Sequence, residues 1–264
     1  MNNPLPKFDH TAVAVSDARA CLRQLRTRLG ATVLAGETMD HFRYAVTHLG
    51  DQHSGMKLEV VEPHGLQDGF LHRFIRDHGE GAHHITFVVP DLELAINAFH
   101  SGGMRVVKQD LQYPPWREAF VAPADAFNIV IQLADTTLDP CLIDSAITGE
   151  LPDATMIPHA ANGRDRRWWK DIRELPGSSP TTMVRTVLGV RNRSRAEYVF
   201  GELLGGRKGS GDECWQDFHW GQSTLRIETH PTDRGVLRIE LVGRQRTAMS
   251  IGSLDLRCVE EPRA

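Results

Sequence analysis

No apolar stretch in this chain approaches the roughly 18 residues a helix needs to cross a bilayer, so no membrane span is expected. Cysteine is scarce. Cys21, Cys141, Cys214 and Cys258 lie far apart and form no C-x-x-C, and no signal peptide opens the sequence, so reduced thiols without a catalytic part, in a cytoplasmic protein, are expected. Runs of like charge are missing too: 30 basic and 34 acidic residues are dispersed along the chain. That distribution leaves no electrostatic footprint for nucleic acid or an acidic membrane, and the expected partner is a small molecule. What is present is a core. With 264 residues, 41% of them hydrophobic, the chain can fill one large domain or two modest ones.

The first 136 residues carry one pattern twice, strand, helix, then several strands. Copy one opens with the alternating run Asp9-His10-Thr11-Ala12-Val13-Ala14-Val15, with Ser16 as helix N-cap, a helix over Asp17 to Leu29 and Gly30 closing it. Copy two opens with His83-His84-Ile85-Thr86-Phe87-Val88-Val89, with a cap near Asp91, a helix over Leu92 to His100 and Gly102-Gly103 as its stop. Each ends in a β-rich run, Met56 to Val61 and Phe127 to Leu133. The registers agree: His10 to His84 is 74 positions and Glu59 to Gln132 is 73.

From about Thr137 to Thr182 the periodicity lapses, and Pro140, Pro152, Pro158, Pro176 and Pro180 mark a linker with a short helix near Arg166 to Leu175. Its Arg166-Arg167-Trp168-Trp169-Lys170 segment reads as a packed linker with solvated charges, since no other basic surface supports a nucleic-acid role. The pattern then returns in weaker form. Arg185 to Val190 matches the opening strand, Ser194 caps a helix over Arg195 to Leu204, Gly205-Gly206 closes it, and Ser223 to Pro231 is a closing strand. A fourth copy, Gly235 to Gly243 plus Ala248 to Val259, has lost its helix. The expected organisation is a module over 1–136, a linker over 137–181 and a degenerate module over 182–264.

Strand alternation puts His10 and His84 at equivalent places about a pseudo-two-fold axis, and Glu59 and Gln132 likewise on the last strands. If the curved sheets of the two copies face one cleft, two imidazoles, a carboxylate and an amide oxygen converge. One lone strand histidine is more often a hydrogen-bonded core residue, but two at matching repeat positions favour ligation. Such a set suits one divalent ion, Fe, Co, Ni, Mn or Zn, with coordination positions left for substrate. His48, His53, His72, His78 and His100 have no partner in register and are expected at the surface.

The stretches "DHTAVAV", "KLEVVEP" and "FLHRFIRDHGEGAHHITFVVPDLELAI" resemble the vicinal oxygen chelate (glyoxalase/bleomycin resistance/dioxygenase) superfamily, most closely its methylmalonyl-CoA epimerase-like branch, over most of residues 8 to 136. The resemblance implies an α+β fold of paired βαβββ repeats whose curved mixed sheets surround a metal cleft, with His10, Glu59, His84 and Gln132 as ligands and His83 turned away. This chain departs from the epimerase pattern in one respect. Epimerases draw the amide ligand from the first copy and the carboxylate from the second, the reverse of Glu59 and Gln132. Their glutamate base, on the third strand of the first copy five residues before a proline, has its counterpart in the second copy here, Glu118 before Pro123. Carboxylate ligand and base have both changed sides.

An ion chelating two oxygens of a carbonyl substrate makes the α-proton acidic enough for a carboxylate. Glu118 is then the base of an epimerase, isomerase or lyase, with Tyr44 at the pseudo-symmetric position as a proton source on the opposite face. Two further readings stand beside this one: an Fe(II)-dependent extradiol-type dioxygenase using His10, His84 and Glu59, and a non-catalytic small-molecule-binding protein. Pro114-Pro115-Trp116 shapes either a substrate pocket or a packed turn. The second module has Arg185 and Leu237-Arg238 where histidines are needed. It is expected to bind no metal and to cover the first module, form a homodimer face or complete the substrate pocket.

Overall fold

A computed structural model describes residues 5–65, 68–139, 144–178, 181–243 and 248–260; Pro140, Cys141 and Pro180 lie outside them. The first repeat runs β1 (Lys7–Ala14), α1 (Ala18–Leu29), β2 (Thr32–Thr38), β3 (Phe42–Asp51) and β4 (Ser54–Pro63), followed by α2 (Phe70–His78). The second runs β5 (Gly81–Val88), α3 (Leu92–Ser101), β6 (Val106–Asp110), β7 (Arg117–Val121) and β8 (Val130–Asp135). After the linker, whose helix is the short α4 (Lys170–Arg173), come β9 (Thr182–Val190), α5 (Arg193–Glu197) continued by a π-helical turn (Tyr198–Leu203), β10 (Arg207–Gly211), β11 (Trp215–Trp220) and β12 (Ser223–Thr229). The last strands are β13 (Gly235–Val242), β14 (Met249–Ile251) and β15 (Leu254–Cys258), with no helix among the described residues between them.

Hydrogen bonding arranges these strands into an eight-stranded sheet of order β2-β3-β4-β1-β5-β8-β7-β6 and a seven-stranded sheet of order β10-β11-β12-β9-β13-β15-β14. Both are mixed, with β5 parallel to β8 and β12 parallel to β9. The α+β fold of paired βαβββ repeats is therefore the observed one. In the first sheet the strand order of one copy, β2-β3-β4-β1, is mirrored by that of the next, β5-β8-β7-β6.

Local chemistry explains most element ends. Asp91 caps α3 by accepting from the Leu94 amide at 2.9 Å. In α1 the cap is Asp17, which accepts from Ala20, in place of Ser16, whose amide donates to Glu80. A carboxylate is a stronger acceptor for orphan helix amides than a hydroxyl, so the cap moves one residue. Asn192 likewise displaces Ser194 by accepting from Arg195, starting α5 two residues early. Gly30 ends α1 at φ 71°, a left-handed conformation in which a side chain is costly. The closing strand of copy two starts at Val130 and not at Phe127, because Phe127 and Asn128 take positive φ (61° and 64°). Phe127 is buried in this strained conformation, its ring 5.5 Å from that of Phe200.

The chain forms two compact units. One comprises residues up to Thr11 with His83–Thr137 and Arg185–Ile239. Its interior is aromatic: Phe8 stacks on Phe87 at 5.0 Å, and Trp220 meets Phe87 edge-on at 5.1 Å. A fully buried hydrogen bond of 2.8 Å joins the hydroxyls of Thr11 and Thr186. The other unit comprises Ala12–Ala82, Leu138–Val184 and the chain from Glu240. In it the linker is packed as expected: Trp168 and Trp169 are buried, and their indole N–H groups donate to the carbonyls of Tyr44 and Gly36. His48 corrects the surface expectation. It is buried, with Nε2 3.0 Å from the carbonyls of Asp51 and Ser54, where it ties the β3–β4 hairpin.

Candidate metal centre

The strand registers superpose the two copies residue by residue. Gln132 on β8 faces Phe120 on β7, and two positions on Ala134 faces Glu118. In copy one Glu59 on β4 faces Val46 on β3, and two positions on Val61 faces Tyr44. Tyr44 and Glu118 are therefore pseudo-symmetric, each two residues along the strand from a candidate ligand. One residue further out, both copies carry the same cross-strand ion pair, Arg43 with Glu62 and Arg117 with Asp135. Their alternation places these pairs on the opposite face.

On the inner face His10, Glu59 and His84 form the one group of metal-capable side chains among the described residues, with one ligand atom from each lying within 4.8 Å of the others. Two donors on opposite sides of one transition-metal ion stand roughly 4.2 Å apart, twice a bond of about 2.1 Å, so this spacing and donor chemistry fit a divalent ion. All three are nearly buried, as is Gln132. The His10 and His84 rings meet edge to face at 5.6 Å.

A run of hydrogen bonds ties this group to Glu118. Asp9 Oδ2 lies 2.8 Å from His10 Nδ1, and His10 Nε2 lies 2.8 Å from the Thr86 hydroxyl. Thr86 donates to Gln132 Oε1 at 2.6 Å, and the Gln132 amide donates to Glu118 Oε2, also at 2.6 Å. The Trp116 indole N–H donates to the same Glu118 oxygen at 3.0 Å. Burial pushes the Glu118 carboxyl above the ordinary range, opposed by the bonds from Trp116 and Gln132 and by the charge of Lys108. His83 pairs Nδ1 to Nδ1 with His84 at 2.8 Å, an orienting contact. Tyr44 packs differently. It joins Phe42, Phe74 and Ile75 against the buried Ala14, Val61 and Leu71, so its ring is embedded in an apolar cluster beside α2.

Thr86 and Asp9 are not among the site residues expected from the sequence, which offers Trp116 only as part of a substrate pocket or a packed turn. Alternation gives Thr86 away, since it lies two residues past His84 on the same face. Trp116 could be found only through its turn, in which its amide donates to the Tyr113 carbonyl and Thr136 holds the carbonyl of Pro115.

Residues 9–120 match the model of the Glyoxalase/Bleomycin resistance protein/Dioxygenase superfamily. The chain is also 30% identical, over 101 residues, to the ethylmalonyl-CoA/methylmalonyl-CoA epimerase of Cereibacter sphaeroides, covering 38% of this chain and 74% of that protein. The chain belongs to this superfamily. An uncharacterized Bacillus subtilis protein is 24% identical over 134 residues, 49% of this chain and 91% of the relative. A hypothetical protein from Staphylococcus aureus is similar in fold, with a TM-score of 0.60 at 10% identity over 97% of this chain and 99% of that one. Members of the superfamily bind a divalent metal, and the His10-Glu59-His84 group offers donors suited to one. No helix among the described residues is long and apolar enough to cross a membrane.

Proposed function

We propose that the protein is a metal-dependent enzyme that removes an α-proton from a carbonyl or acyl-thioester substrate, an epimerase, isomerase or lyase with Glu118 as base. His10, Glu59, His84 and Gln132 hold the ion in this reading. When bound, the ion withdraws charge from the substrate's chelated oxygens and so stabilises the negative charge left when the α-proton departs. The rest is done by the chain. Glu118 takes the proton on a carboxylate oriented by Trp116 and Gln132, and partial burial keeps that carboxylate basic. Tyr44, at the mirrored position, returns a proton to the other face.

The observation that carries this reading is the bond from Gln132 to Glu118, which puts a carboxylate of raised pKa beside the donor group. The identity to an acyl-CoA epimerase supports the thioester class. The test is proton exchange: protein loaded with Co(II) is incubated in D2O with methylmalonyl-CoA or ethylmalonyl-CoA, and loss of the α-proton signal is followed. Exchange in wild type that vanishes in Glu118→Gln supports the reading, whereas equal exchange in both removes Glu118 as base.

A second reading has its own observation. Two histidines and one carboxylate in a single group are also the donor set of oxygen-activating Fe(II) enzymes. Oxygen uptake by the Fe(II) protein with a catechol would favour it.

A further inference from the structure

The two copies differ in a way the candidate ligands explain. Two residues past the strand-opening histidine, copy one has Ala12 and copy two has Thr86. The copy that supplies a carboxylate, Glu59, has a methyl group there; the copy that supplies a carboxamide, Gln132, has a hydroxyl. A carboxylate presents two equivalent oxygens and needs no help to aim one of them. A carboxamide has one oxygen and one NH2 of nearly the same shape, and only its hydrogen-bond partners decide which end points where.

Thr86 is placed to make that decision. It sits opposite Gln132 in the β5–β8 register and is fully buried. Its branched side chain has restricted rotamer freedom in a strand, and burial restricts it further. That hydroxyl donates to Gln132 Oε1 and touches His10 Nε2, while the other end of the carboxamide donates to Glu118. We propose that Thr86 is the positioning residue of this centre: its hydroxyl, held between His10 and Gln132, sets the carboxamide with Nε2 on Glu118, and so fixes both the donor geometry for a divalent cation and the direction of the base.

This rests on the reading that His10, Glu59, His84 and Gln132 hold an ion, and the test separates the two. Wild type, Thr86→Val, Thr86→Ala and Thr86→Ser are titrated as full chains with Co(II), following the visible absorption of the bound ion, and the metal-free proteins are melted. Val keeps the shape and Ala reproduces copy one, so at least one apolar variant remains available if the other fails to fold. Removal of an orienting partner of a ligand is expected to weaken Co(II) binding by about 10–100-fold and to alter the spectrum, with melting little changed. Thr86→Ser, which keeps the hydroxyl, is expected to restore most of the affinity. Wild-type affinity and spectrum in the Val or Ala variant, or Ser as weak as they are, overturns the role of Thr86 alone. A wild type that takes up no Co(II) overturns the metal reading and this inference together.

Discussion

The same strand positions hold opposite chemistry in the two sheets. On the first, Gln132 lies opposite Thr86, two residues past His84, and Glu118 and Phe120 line the neighbouring strand. On the second, Arg226 lies opposite Val187, two residues past Arg185, and Trp215 and Asp217 take the places of Glu118 and Phe120. Arg226 makes a two-pronged pair with Asp217 at 2.8 and 2.9 Å and lies 3.6 Å over the Trp215 ring. Arg185 Nε is 3.7 Å from the same carboxylate, and Arg238 pairs with Glu228. One face gathers neutral and anionic donors that suit an added cation; the other carries cations of its own. The difference teaches that this fold can stabilise a polar strand face in two ways, with donors suited to a cation or with guanidiniums already neutralised by carboxylates.

Four substitutions break or sharpen that contrast. The largest effect belongs to Glu118→Gln, which is expected to slow α-proton exchange by about 10²–10⁴-fold while the protein keeps its Co(II), as exchange rates and metal content will show. Next is Asp217→Ala, which leaves two mostly buried guanidiniums without their shared carboxylate. It is expected to cost about 3 kcal/mol of stability in urea unfolding, with metal content unchanged, whereas the double change Asp217→Leu with Arg226→Met should cost less, because only Arg185 then lacks that carboxylate. His84→Ala should weaken Co(II) binding by more than the roughly 100-fold expected for an outer partner. Its counterpart Arg185→Ala should leave binding as it was, and titration of both variants tests the pair.

The smallest effect concerns a buried carboxylate whose guanidinium partner stands at the limit of ion-pair distance. Glu37 accepts from the Ala160 amide, with Arg166 at 3.9 Å, and burial raises its pKa. A raised folded pKa means that the native state binds more protons than the unfolded chain just above the ordinary glutamate range. Stability is therefore full below that range and declines as pH rises through the folded pKa. Glu37→Gln is expected to flatten this decline and to raise the melting temperature slightly at neutral pH; a steeper fall would show that the ionised form is favoured.

Much of the first sheet was legible because its pattern is written twice. Periodicity placed His10 against His84, and the proline offset aligned Glu118 with Tyr44, a match that the β3–β4 and β7–β8 registers repeat. The metal-capable group of His10, Glu59 and His84 follows from the same repeat. What could not be read there depends on neighbours distant in sequence. Trp168 and Trp169 are linker residues whose N–H groups find carbonyls more than 120 positions away. His48 looked unpartnered because its acceptors are main-chain carbonyls of its own hairpin, which no side-chain pattern announces. In the second sheet Arg185 and Arg238 were visible as missing histidines, but Asp217 and Arg226 gained meaning only through strand pairing.

By itself the sequence determined the repeat, the α+β class and the strand positions shared by His10 with His84 and Glu59 with Gln132, because strand alternation and helix capping are local rules that act within about ten residues. Only the tertiary structure decided that a threonine hydroxyl stands between His10 and Gln132, that Tyr44 sits in an apolar cluster while Glu118 is tied to Gln132, and that guanidiniums occupy the second sheet's corresponding face. Each of those outcomes depends on which side chains from separate strands come within hydrogen-bond reach, a distance set by sheet register and not by spacing along the chain.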